Sequence, residues 1–116
     1  MSNNYVVKIT SPGPRPEFYR IAEYLWGVGC NIDSDGDSSS ADDRSWTELS
    51  LSLRGSPGQY LDIDPISLEP LVLAIRSPQE SLCAKAAEFI VFYSGGIAES
   101  LAPTNSSKPN PLRGSA

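Results

Sequence analysis

The chain has 116 residues, 40% apolar and 20% charged, with a net charge of -5, two cysteines and no histidine. That length supports one domain around a single core. No stretch approaches the roughly 18 apolar residues of a membrane span, and the acidic balance excludes nucleic acid as a partner, because phosphate contacts need clustered Lys and Arg. The missing histidine removes the commonest general base, the commonest metal ligand and the usual partner of a Ser or Cys nucleophile.

Met1-Ser2-Asn3-Asn4 carries no basic segment or apolar h-region, so a cytoplasmic protein is expected, with Cys30 and Cys83 as buried thiols. Tyr5 to Thr10 alternates as a strand, Tyr5, Val7 and Ile9 on one face and Val6, Lys8 and Thr10 on the other. Pro16 and Glu17 suit the first turn of a helix, whose apolar stripe is Phe18, Ile21, Ala22 and Leu25, with Trp26 beside it and Gly27 and Gly29 as the stop. Residues 31–45, rich in Asp, Ser and Gly, predict a mobile acidic loop.

Trp46 to Leu53 then alternates, placing Leu49, Leu51 and Leu53 inward and Trp46, Glu48, Ser50 and Ser52 outward. Gly55-Ser56-Pro57-Gly58 turns the chain into a second strand over 59–64, with Leu61 and Ile63 inward and Tyr60, Asp62 and Asp64 outward. Beyond Pro65, residues 71–76 predict a third meander strand. Ser77-Pro78-Gln79-Glu80 has the spacing of a capping box, opening a second helix of about five turns that buries Leu82, Cys83, Ala86, Ala87, Ile90 and Tyr93 and closes at Gly95-Gly96. The tail, 102–116, with Pro103, Pro109 and Pro111, reads as disordered.

The order β-α-β-β-β-α predicts a single α+β domain over 1–101: a two-layer sandwich of a mainly antiparallel four-stranded sheet with both helices on one face. The other face stays open and carries the polar side chains. Charge is not spread evenly. Residues 31–48 hold Asp33, Asp35, Asp37, Asp42, Asp43 and Glu48 against the single base Arg44, whereas the remaining eight acids and eight bases cancel. The long-range field therefore points to a basic protein partner.

Asp33-Ser34-Asp35-Gly36-Asp37 has the alternating acids of a calcium loop, but the sixth and twelfth positions, which need Gly and Glu, hold Ser38 and Arg44. Asp62 and Asp64 share a strand face, with Glu48 on the neighbouring strand; this trio is the one candidate for a metal-dependent enzyme, and as surface carboxylates it predicts no pKa-shifting pocket. No catalytic residue, metal ligand or cofactor is therefore assigned. Trp46, placed outward beside the acids, has the character of a binding hot spot. In size, acidity and lack of catalytic groups, residues 1–100 resemble the small immunity proteins that bacteria make against their own toxins. The resemblance carries no diagnostic motif and transfers no residue. It implies an inhibitor of a cationic toxin or nuclease, bound through Asp33, Asp35, Asp37, Asp42, Asp43, Trp46, Glu48, Tyr60, Asp62 and Asp64. The other reading is a structural subunit that oligomerises through an exposed strand edge.

Overall fold

The computed structural model describes residues 4–101; the predicted disordered tail lies outside them. Eight elements follow in order: β1 (Tyr5–Thr10), α1 (Phe18–Trp26), β2 (Ile32–Gly36), β3 (Leu49–Leu53), β4 (Tyr60–Leu68), β5 (Leu71–Ser77), α2 (Glu80–Ser94) and β6 (Ile97–Leu101). The fold is α+β, with two helices and one antiparallel sheet in the order β2-β3-β4-β5-β1-β6.

The sheet has six strands where the sequence predicts four. The first extra strand, β2, lies inside the segment expected to be a mobile loop. It owes its place to pairing with β3 across five positions, Ile32 opposite Leu53 through Gly36 opposite Leu49, rather than to its own apolar content. The ladder satisfies the backbone groups that face β3, which offsets ordering entropy that composition alone could not. The second, β6, follows α2 and pairs with β1 from Val6–Leu101 to Thr10–Ile97. Gly96, at φ +95°, admits this return: a Cβ there would stand 2.8 Å from the carbonyl oxygen of Thr10.

The inward residues follow strand alternation. Val7 and Ile9, Leu49 and Leu51, Leu61 and Ile63, and Leu73 and Ile75 are all buried in one cluster. Against them pack Ile21 and Ala22 of α1 and Leu82, Cys83, Ala86, Ala87 and Ile90 of α2. Burial pushes the Cys83 thiol up to about 11, and its Sγ reaches the carbonyl oxygen of Tyr5 at 3.1 Å. It is a structural side chain.

Three local expectations change. Strand β3 begins at Leu49, so the three residues from Trp46 lie outside the ladder. Strand β4 runs on through Pro65 to Leu68, because a bulge between Pro65 and Ser67 interrupts the ladder where the prolyl nitrogen has no hydrogen to give. The reciprocal capping box does not form. Ser77 ends β5, donates its hydroxyl to Tyr60 O (2.6 Å) and accepts from Gln79 N (3.0 Å), while α2 starts one turn later without a side-chain cap. Gly95 does end that helix, its N–H bonded to Val91 O at 2.8 Å, after 15 residues, just over four turns.

Candidate partner-binding surface

Strand register alone assembles the uncovered face. Asp35, Ser50, Asp62 and Arg76 stand in one row across β2, β3, β4 and β5, and Asp33, Ser52 and Tyr60 form the row beside it. Asp33, Asp35, Ser50, Ser52, Tyr60 and Asp62 line a shallow, open-sided groove of about 240 Å³. Carboxylates and hydroxyls reach it, its walls are largely carbon, and Tyr60 is 39% exposed.

The carboxylates differ in what already holds them. Arg54 donates to Asp33 Oδ1 through Nε (3.0 Å) and Nη2 (2.8 Å), and that hydrogen bonding holds the Asp33 carboxyl below its ordinary range. Arg76 Nη1 reaches Asp64 Oδ2 at 3.0 Å. Among the described residues Asp62 accepts only the Ser50 hydroxyl at 2.7 Å, and Asp35 only the neighbouring Gly36 N–H at 2.9 Å. Glu48, exposed just before β3, forms no ion pair among the described residues. Asp62, Asp64 and Glu48 do not converge as a metal-dependent site would require, and among the described residues no three His, Cys, Asp or Glu side chains are placed to hold a metal ion.

The second half of the acidic segment is not a free loop. Asp37 accepts from Thr47 N (2.9 Å), Glu48 N (3.0 Å) and the Thr47 hydroxyl (2.7 Å). Desolvation pushes that carboxyl up, but the bonds from Glu48 N, the Thr47 hydroxyl and Thr47 N outweigh it and leave the pKa lowered. Asp43 takes the backbone N–H groups of Ser39 and Ser45, both at 2.8 Å, and both hydroxyls, which brings it down to about 2. Asp42, exposed, accepts the Ser40 hydroxyl at 2.6 Å.

Trp46, expected on the uncovered face, is 1% exposed and belongs to the core. Alternation does not govern it, because β3 starts three residues later, and its large apolar area favours burial once its N–H is satisfied. That condition is met: Nε1 donates to Pro16 O at 2.8 Å. Arg15, also buried, donates through Nε to Trp46 O (2.8 Å) and through Nη1 to Gly13 O (2.9 Å). Desolvation lowers the Arg15 pKa, against the opposing fields of Asp37 and Asp43. Part of the acidic segment thus compensates a buried guanidinium. Trp26, expected in the core, packs against its edge, half buried, and donates Nε1 to Gln59 Oε1 at 3.1 Å.

One exposed aromatic group falls outside the sequence-derived surface. On the outer side of the helices Tyr24 stacks on Phe89 (centroids 4.9 Å apart), Phe89 meets Tyr93 at 5.6 Å, and Phe92 is 84% exposed. Tyr93, expected in the buried stripe, is itself 37% exposed and lies under the Arg44 guanidinium at 5.3 Å. The sequence held a signal: Phe92 shares the α2 face of Ser81, Lys85 and Glu88, not the face of Ala86 and Ile90. No helix among the described residues is long and apolar enough to cross a membrane.

Comparison with protein-family models, with curated proteins and with solved structures found no match.

Proposed function

We propose that this chain is an inhibitory binding protein whose uncovered sheet face receives a basic surface of another protein, in the manner of an immunity protein that occludes the basic cleft of a toxin or nuclease. One observation carries the reading. Asp35 and Asp62 stand in the same row of an open face and, among the described residues, form no ion pair, since Arg76 at the end of that row is engaged by Asp64; Asp33 and the exposed Tyr60 stand beside them. Lys or Arg side chains of the partner complete that row, and Tyr60 supplies contact area with few rotatable bonds. Trp46 has no part in binding. Asp37 and Asp43 contribute charge to the long-range field, not contacts.

The test immobilises the full chain and its Asp35→Asn/Asp62→Asn/Tyr60→Ala variant, exposes both to host extract, and measures any retained protein as a purified pair. The expected outcome is a basic protein bound by the wild type, with affinity lowered roughly tenfold or more in the variant and an association rate that falls as salt is raised. Equal binding by both forms, or association insensitive to salt, rejects the reading.

A further inference from the structure

Strand β6 closes one side of the sheet, and all five of its residues are exposed. Among the described residues no strand pairs with its outer edge. It has no proline, no lysine and no bulge, and Glu99 is its single charged side chain. Ile97, Glu99 and Leu101 share the uncovered face, Ile97 72% and Leu101 37% exposed, and Lys8 on β1 stands 3.7 Å from Glu99.

We propose that β6 joins two copies of this chain, edge to edge, in a two-fold dimer with one continuous antiparallel sheet. The occupant follows from self-complementarity. A two-fold axis normal to the sheet keeps both uncovered faces on one side, so only residues of the same face can stand opposite each other. Centring the axis on Glu99 sets Ile97 of each copy against Leu101 of the other. Centring it on Ala98 or on Ser100 instead opposes Glu99 to Ile97 or to Leu101, an apolar side chain against a charge. Apolar cross-strand pairing therefore selects the Glu99 register. That register also sets the two Glu99 carboxylates opposite each other, a like-charge pair that weakens the contact and that the Lys8 beside each one partly offsets.

The opposite edge cannot do the same. Copies meeting through β2 about Ser34 would set Asp33 of one against Asp35 of the other at two places, with no apolar pair on that face to offset the repulsion, and β2 against β6 would bring those aspartates toward Glu99 and leave an open chain of molecules. Five residues bury less than the roughly 800 Å² per partner of a standard interface, so the dimer is weak and concentration-dependent. It stands apart from the proposed basic partner, whose rows lie at the other side of the sheet.

Sedimentation velocity over a concentration series, on the full chain, tests the dimer. The expected result is a reversible monomer–dimer equilibrium, weakened about tenfold or more by Ile97→Lys/Leu101→Lys. Circular dichroism checks that this variant keeps the fold. In parallel, Glu99→Cys should cross-link into a covalent dimer on oxidation, faster than the wild type with its own two cysteines, and Asp35→Cys should not. A chain that stays monomeric up to its solubility limit overturns the proposal. So does a dimer indifferent to the lysine substitutions, or one that cross-links through Asp35→Cys or Phe92→Cys in place of Glu99→Cys.

Discussion

Trp46 gives its indole proton to Pro16, and its own carbonyl receives the Arg15 guanidinium, so two side chains fasten residues 13–16 to the segment before β3 from both directions. The expected consequence belongs to stability. Trp46→Ala leaves a large void and should cost about 3–5 kcal/mol in urea unfolding, whereas Trp46→Phe keeps most of the packing and loses chiefly the hydrogen bond, about 1–2 kcal/mol. Affinity for a partner that leaves Trp46→Phe unchanged agrees with an internal role. Asp43 makes a different prediction. Its folded pKa, about 2, lies below the ordinary 3.8, so its bonds to Ser39 and Ser45 stabilise the fold fully above the higher value and are lost as pH falls through the lower one. The stability difference between wild type and Asp43→Ala should therefore be constant near neutrality and shrink progressively between those two pKa values in acid-titrated unfolding midpoints.

Strand β2 exists because one residue lets it approach. At Gly36, φ is +148° and a Cβ would collide with the carbonyl oxygen of Glu48 and stand 3.0 Å from the Leu49 Cα. Gly36→Ala should destabilise the chain by about 1–3 kcal/mol and raise amide exchange first across Ile32–Gly36, leaving β4 and β5 protected. Exchange that rises uniformly would mean that β2 does not open separately. The same strand marks the limit of legibility. Leu49, Leu51, Leu61 and Ile63 announce β3 and β4 through alternation, and Ile21, Ala22, Ala86 and Ile90 announce the helices through their period. Ile-Asp-Ser-Asp-Gly has almost no apolar face, and its strand character resides in its neighbour's ladder. Trp46 is hidden from the pattern for a related reason: alternation does not reach the three residues before β3, where hydrogen bonds to and from Pro16 and Arg15 decide orientation. Asp33, Asp35, Tyr60 and Asp62 were recognisable as polar outward positions, but only the register shows that they meet, and nothing in composition showed that Arg54 and Arg76 already engage Asp33 and Asp64.

Across the whole molecule, the charge imbalance of residues 31–48 divides between two uses. Asp37 and Asp43 are held by backbone donors and contribute to the field at Arg15, while Asp35 and Glu48 form no ion pair among the described residues. Charge near a surface is therefore partly construction and partly interaction, and only the second kind is free to attract a partner. The strand order has its own effect on how the molecule comes together. β1 is the first strand in the chain, yet its two neighbours, β5 and β6, are the last. On a growing polypeptide Val7 and Ile9 have no ladder to join until about seventy further residues have followed, so β1 enters the sheet after β3 and β4 have paired. The hairpins of β3, β4 and β5 close over short distances before it, so synthesis leaves an apolar N-terminal segment waiting for a slot that its own C-terminal part creates.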